Sequence, residues 1–110
     1  MTTRSDRLFA VVIPNGFNQV VYTAGPGFNV ILKSVYGFQH VTSAAQFVLK
    51  IASPGWPGVA WFYESTATAQ IAIQWQGWIV LRPGDQVTAD NPAGSAQVWG
   101  SGALLPLGST

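Results

Sequence analysis

The chain has 110 residues, of which 48% are hydrophobic and only 8% charged, with a formal net charge of +1 and no cysteine. Globular domains average roughly 25% charged residues. Five basic and four acidic side chains therefore leave most of a small domain's surface to Ser, Thr, Gln, Asn and Gly, or to burial against other subunits. The same figures exclude a phosphate-tracking basic surface, and with it nucleic-acid binding, and they exclude a disulfide framework and a thiolate metal site.

Along the chain, apolar residues alternate with period two between turn signals. Met1 to Arg7 gathers Arg4, Asp6 and Arg7 ahead of the first apolar run and reads as an arm, residues 1–7. The run behind it is too short for a signal-peptide core, and none approaches the ~20 residues that span a bilayer, so neither secretion nor membrane insertion is expected. Arg7 to Ile13 predicts a first strand, closed by Pro14-Asn15-Gly16, and Gln19 to Thr23 a second, closed by Gly25-Pro26-Gly27. Phe28 to Phe38 is the longest candidate, with Val30, Leu32, Tyr36 and Phe38 expected on one face and Lys33 opposite. Phe47, Leu49 and Ile51 alternate within Gln46 to Ile51, ahead of a Pro-Gly loop from Ser53 to Gly58 that carries Trp56.

Val59 to Glu64 predicts a short aromatic strand. Gln70 to Trp75 predicts a half-buried one, with Trp75 in the core, and Gly77 separates it from Trp78 to Leu81. In Arg82-Pro83-Gly84-Asp85 the Pro-Gly pair suits the centre of a type II turn, proline fixing the first φ and glycine accepting a positive second. Asp85 is expected to hydrogen-bond within that turn. Gln86 to Ala89 follows, then a turn over Asp90-Asn91-Pro92-Ala93-Gly94. Ala96 to Leu105 closes the domain, with Gly100 and Gly102 permitting bends or bulges, and residues 106–110 read as a tail.

No segment has helical periodicity. Short strands with turn signals at roughly 8 to 12-residue spacing predict an all-β domain over residues 8–105. The expected architecture is an antiparallel two-sheet β-sandwich, jelly-roll-like, of about eight to nine strands. Val30, Leu32, Phe47, Leu49, Ile71, Ile73, Leu81 and Val87 are expected to point between the sheets.

Reactive groups are sparse. The single histidine, His40, could form a triad with Ser43 and Asp85 only by assuming a nucleophile elbow that the sequence lacks. No clustered His, Cys, Asp or Glu suggests a metal, and Asp6, Glu64, Asp85 and Asp90 are spread along the chain. The expectation is a non-enzymatic protein with no catalytic residue, metal or cofactor. The five tryptophans carry more information. Exposed aromatics anchor protein interfaces and stack on sugars, and in a chain this poor in charge the interface is the favoured use. Arg4, Arg7, Trp56, Trp61, Trp78 and Trp99 are the candidate interface residues.

One ordering of motifs stands out. Tyr22-Thr23-Ala24-Gly25-Pro26-Gly27 leads into Val30-Ile31-Leu32-Lys33-Ser34-Val35. Trp78-Ile79-Val80-Leu81 precedes Arg82-Pro83-Gly84-Asp85-Gln86-Val87, and a terminal strand carries Val98 and Gly100. Over residues 22–105 this resembles the small β-sandwich proteins of tailed bacteriophage virions, found as minor tail proteins or as modules of tail and head fibres. The chain departs from that pattern in its proline-rich Ser53 to Gly58 loop and its density of tryptophan. The resemblance implies a structural role in the virion, most simply as a minor tail protein, with a capsid decoration protein or head fibre as the alternative. It implies several copies packed together, a trimer first, in contact with other virion structural proteins. A glycan- or receptor-binding module at the tail tip, using Trp56 and Trp78 on host cell-surface glycan, is the remaining alternative.

Overall fold

The computed structural model describes residues 6–40, 45–55, 58–67, 71–92 and 95–107. Eight strands form: β1 (Asp6–Ile13), β2 (Gly16–Thr23), β3 (Phe28–His40), β4 (Ala45–Ala52), β5 (Val59–Ala67), β6 (Ile71–Leu81), β7 (Gln86–Asn91) and β8 (Ser95–Pro106). They build two four-stranded antiparallel sheets, ordered β1-β8-β3-β6 and β2-β7-β4-β5. Only the β4–β5 connection stays within a sheet; every other step crosses between them, so one sheet is completed only by β7 and the other only by β8. The expected two-sheet antiparallel β-sandwich is what the chain adopts.

Several boundaries shift. Asp6, expected in the arm, pairs with Gly102 as the first residue of β1, ahead of Arg7, which pairs with Ser101. The segments expected as separate strands at 70–75 and 78–81 are joined across Gln76 and Gly77, so that Ile71–Leu81 is the single strand β6; residue 70 lies outside the described residues. Asp90 and Asn91, expected in a turn, end β7 instead. Pro106, expected in the tail, pairs with Phe28 at the end of β8.

Burial of Val30, Leu32, Phe47, Leu49, Ile73, Leu81 and Val87 follows the expected core; the side chain of Ile71 lies outside the described residues. Two aromatic pairs bridge the sheets at their flanks. Phe9 of β1 stacks on Tyr22 of β2 at 5.3 Å between ring centroids, and Phe62 of β5 meets Trp75 of β6 edge-on at 4.9 Å. Trp75 is therefore half-buried at the flank, packed against the core rather than inside it. Under the Phe9 pair, burial pushes the Tyr22 phenol pKa up.

A polar tie also joins the sheets. Gln39 of β3 donates from Nε2 to Asn91 Oδ1 at 3.2 Å, and Asn91 Nδ2 donates to the carbonyl of Ile13 at 3.2 Å. Amides buried this deeply cost free energy unless paired, and this tie meets most of that demand.

The expected face of β3 is corrected by its register. Leu32 pairs with Gly102 and Ser34 with Ser101, so Lys33 has no partner in β8, while Gly77 and Trp78 both fall opposite it in β6. Such a bulge shifts the side-chain alternation by one residue. Val30 and Leu32 point inward before it, whereas Val35, Gly37 and Gln39 do so after it. Tyr36 and Phe38, expected beside Val30 and Leu32, are thereby turned to the outside of the sandwich.

The Arg82-Pro83-Gly84-Asp85 turn forms as expected. The Asp85 N–H donates to the Arg82 carbonyl at 3.0 Å, Asp85 Oδ2 accepts from the Arg82 N–H at 2.9 Å, and Gly84 has φ +90°. This turn clamps the β2–β3 loop: the Ala24 N–H donates to the Asp85 carbonyl, and the Gly84 N–H to the Ala24 carbonyl.

Candidate interaction surface

The outward face of the β1-β8-β3-β6 sheet carries the most distinctive chemistry of the molecule. Register aligns Ala10, Trp99, Tyr36 and Gln74 in one cross-strand row, and Val12, Gln97, Phe38 and Ala72 in the next. Among these eight residues none is charged. Trp99 is 39% exposed, Phe38 49% and Val12 64%, values that leave large apolar area in water. Two shallow grooves flank Trp99. One, about 310 Å³, lies over Ala10, Val12 and Gln97; the other, about 120 Å³, lies over Phe38, Ala72 and Gln74.

Polar rows bound this patch along the strands. At one end stand Arg7, Ser101, Ser34 and Gln76, with a 2.5 Å hydrogen bond between the Ser34 and Ser101 hydroxyls. Gln76 Nε2 donates to the Tyr36 hydroxyl, tying that row to the patch. At the other end His40 pairs with Ser95, both exposed. Beyond the serine row, Trp78 and Val80 of β6 form a second exposed apolar strip, Trp78 being 70% exposed.

The opposite face of the sandwich is built differently. On the outward side of β4 and β7, Lys50 Nζ lies 2.9 Å from Asp90 Oδ1 and donates to Asn18 Oδ1 at 2.5 Å, while the Asn18 N–H donates to Asp90 Oδ1 at 2.9 Å. Burial works against ionisation of Asp90, but the Asn18 N–H and the Lys50 ammonium outweigh it and hold the carboxyl below its ordinary value. Gln46 Nε2 donates to Glu64 Oε2 at 2.8 Å on the same sheet. These charges are satisfied internally.

The six candidate interface residues do not converge. Arg4 and Trp56 lie outside the described residues. Arg7 sits exposed on the edge strand β1, Trp78 and Trp99 on the outward face of its sheet, and Trp61, 56% exposed, on β5 of the other sheet. Sequence reasoning missed Val12, Tyr36 and Phe38. The bulge that exposes the last two leaves no mark in an alternation read from one strand alone. His40, at the far end of β3, and Asp85, capping its own turn beside the start of that strand, do not form a triad; Ser43 lies outside the described residues. Among the described residues no group of three or more His, Cys, Asp or Glu gathers to hold a metal.

No protein-family model matches the chain, and no curated protein does. A solved structure of Eiger TNF from S. frugiperda superposes with a TM-score of 0.55, covering 97% of this chain and 92% of that one at 10% identity. The fold is a jelly roll. At that identity the likeness speaks for the path of the backbone, with its interleaved sheet orders, and for nothing chemical. The jelly roll places β1 and β6 at the two edges of one sheet and β8 and β3 at its centre. Trp99, Tyr36 and Phe38 therefore stand in the middle of its outward face.

Proposed function

We propose that this chain is a non-enzymatic structural component of a tailed-bacteriophage virion, a minor tail protein that works as a homo-oligomer beside other virion proteins. The observation that carries the assembly half is the uncharged apolar centre of the outward β1-β8-β3-β6 face. A monomer rarely leaves such a contiguous surface in water, and a chain with 8% charged residues has little else to keep it dispersed. The virion half rests on the resemblance of the ordered motifs between Tyr22 and Leu105. A non-catalytic role draws support from the carboxylates of Glu64, Asp85 and Asp90, each tied to a neighbour; Asp85 lines an open cavity with Ser53 and Arg82, but among the described residues that cavity has no histidine and no second carboxylate.

Sedimentation of the purified protein at micromolar concentration tests the oligomer, with a trimer the first expectation; a monodisperse monomer would count against it. Locating the chain's density on an imaged particle tests the virion role and separates tail from capsid. Deleting Met1 to Ser5, which stops short of β1, asks whether the N-terminal arm reaches a neighbouring virion protein. A particle that incorporates the truncated chain normally would rule the arm out. A second reading, a glycan-binding module, draws on the exposure of Trp78 on an edge strand. It predicts binding to host envelope polysaccharide by the assembled protein that Trp78→Ala abolishes.

A further inference from the structure

We infer that the outward face of the β1-β8-β3-β6 sheet, centred on Trp99 and Phe38, is the surface on which a second copy of this chain docks. The inference rests on the homo-oligomer reading and adds to it the face and the residues.

Three observations select that occupant. The first is charge. Ala10, Val12, Tyr36, Phe38, Ala72 and Trp99, with Gln74 and Gln97, place no ionised group at the centre of the face. A neutral patch meets its own image without like-charge repulsion, whereas a surface shaped for a charged partner carries the complementary sign. The second is size. Four strands about 4.8 Å apart, followed for the eight residues of β1 at about 3.3 Å each, give a face of about 500 Å² before side-chain relief, of the same order as the roughly 800 Å² per partner of a stable interface. The third is the contrast between the sheets. The outward side of β4 and β7 spends its charges on itself, Lys50 with Asp90 and Asn18, and Glu64 with Gln46, so that its exposed apolar residues, Phe17, Val20, Val59 and Trp61, are split between the two edge strands β2 and β5 with those charges between them.

The relief of the face suits insertion. Trp99 stands as a ridge between two grooves, and tryptophan and tyrosine are the residues that anchor protein interfaces when water is excluded around them. The Ser34, Ser101 and Gln76 row, rimmed by Arg7, supplies the polar margin such interfaces have.

The chain contains no cysteine, so Phe38→Cys and Trp61→Cys each create a single thiol on opposite faces. Sedimentation velocity of the wild type and of Trp99→Lys, with circular dichroism to confirm the fold, gives one readout; thiol labelling of the two cysteine variants at oligomer-forming concentration gives the other. The expected result is an oligomer that Trp99→Lys dissociates and Trp61→Lys does not. At Phe38→Cys, labelling should be at least about tenfold slower than at Trp61→Cys, because an interface core excludes solvent, and should recover on dilution. If Trp99→Lys unfolds, the labelling ratio alone decides. A Phe38→Cys variant that still sediments as the wild-type oligomer yet labels as fast as Trp61→Cys overturns this face and leaves the homo-oligomer standing, whereas one that dissociates supports the face. A wild type that stays monomeric overturns both.

Discussion

Lys50 Nζ stands 2.9 Å from Asp90 Oδ1 across the β4–β7 seam, and the same two side chains grip Asn18, whose φ of +54° places it in the left-handed region. A non-glycine residue is held there only when its surroundings supply compensation. The ion pair therefore also positions the backbone of β2. Truncating one partner of a buried pair strands the other, so Lys50→Met or Asp90→Ala is expected to cost about 3 kcal/mol. The double variant should cost less than the two single losses together, because it strands no charge. Urea denaturation of the four proteins checks this.

The same pair sets an acid dependence. The folded-state pKa of Asp90 lies below its unfolded value. Its stabilising contribution is therefore full above the ordinary aspartate range and is lost as pH falls through the folded value. Stability should fall on acidification through that range, and Asp90→Asn should flatten this part of the profile. Denaturation midpoints from pH 7 down to the acid limb, compared between wild type and variant, measure it.

Phe9 lies over Gly100. A Cβ built on that glycine would stand 2.3 Å from the Phe9 ring, which cannot move aside without breaking its stack on Tyr22. Gly100→Ala should destabilise by about 1–3 kcal/mol, the usual range for overpacking, and Phe9→Leu should recover part of it. Gly25 meets nothing within 4 Å, so Gly25→Ala should stay within about 0.5 kcal/mol of wild type. Thermal melts of the three variants distinguish a packed seam from a general intolerance of alanine.

The bulge at Lys33 makes two residues of one strand behave oppositely. Leu32→Ala should cost about 2–5 kcal/mol, because it empties a fully buried position. Phe38→Ala should cost the isolated subunit far less, about 1 kcal/mol or under, and act on assembly instead. Equal losses of subunit stability would mean that Phe38 faces the core after all.

Gly84 has φ +90° and would bring a Cβ to 3.1 Å from Pro54. Gly84→Ala is expected to cost more than about 1 kcal/mol. Asp85→Ala removes the acceptor of the Arg82 N–H and should cost about 1 kcal/mol. Because this turn clamps the β2–β3 loop, both variants should also speed amide exchange at Ala24, readable by NMR.

Strands, turns and the greater part of the core were legible from the chain alone, because period-two alternation and Pro-Gly punctuation are local properties of the backbone and its side-chain sterics. Val30, Leu49, Ile73 and Val87 each lie in a run whose neighbours two residues away agree with them. The Pro83-Gly84 turn was equally plain, since its φ values are written in those two residues. Tertiary structure decided what local pattern leaves degenerate. β3 is apolar on both faces, so its alternation alone does not say which face is inside, and the answer changes midway because pairing with β8 leaves Lys33 as the extra residue. Asp90 and Asn91 read as a turn but extend β7, since partners distant in the chain, Lys50, Gln39 and Ile13, satisfy their polar groups. The exposed face around Trp99 is the sum of these decisions: four strands supplied its aromatic and aliphatic residues, and only their register brought them together.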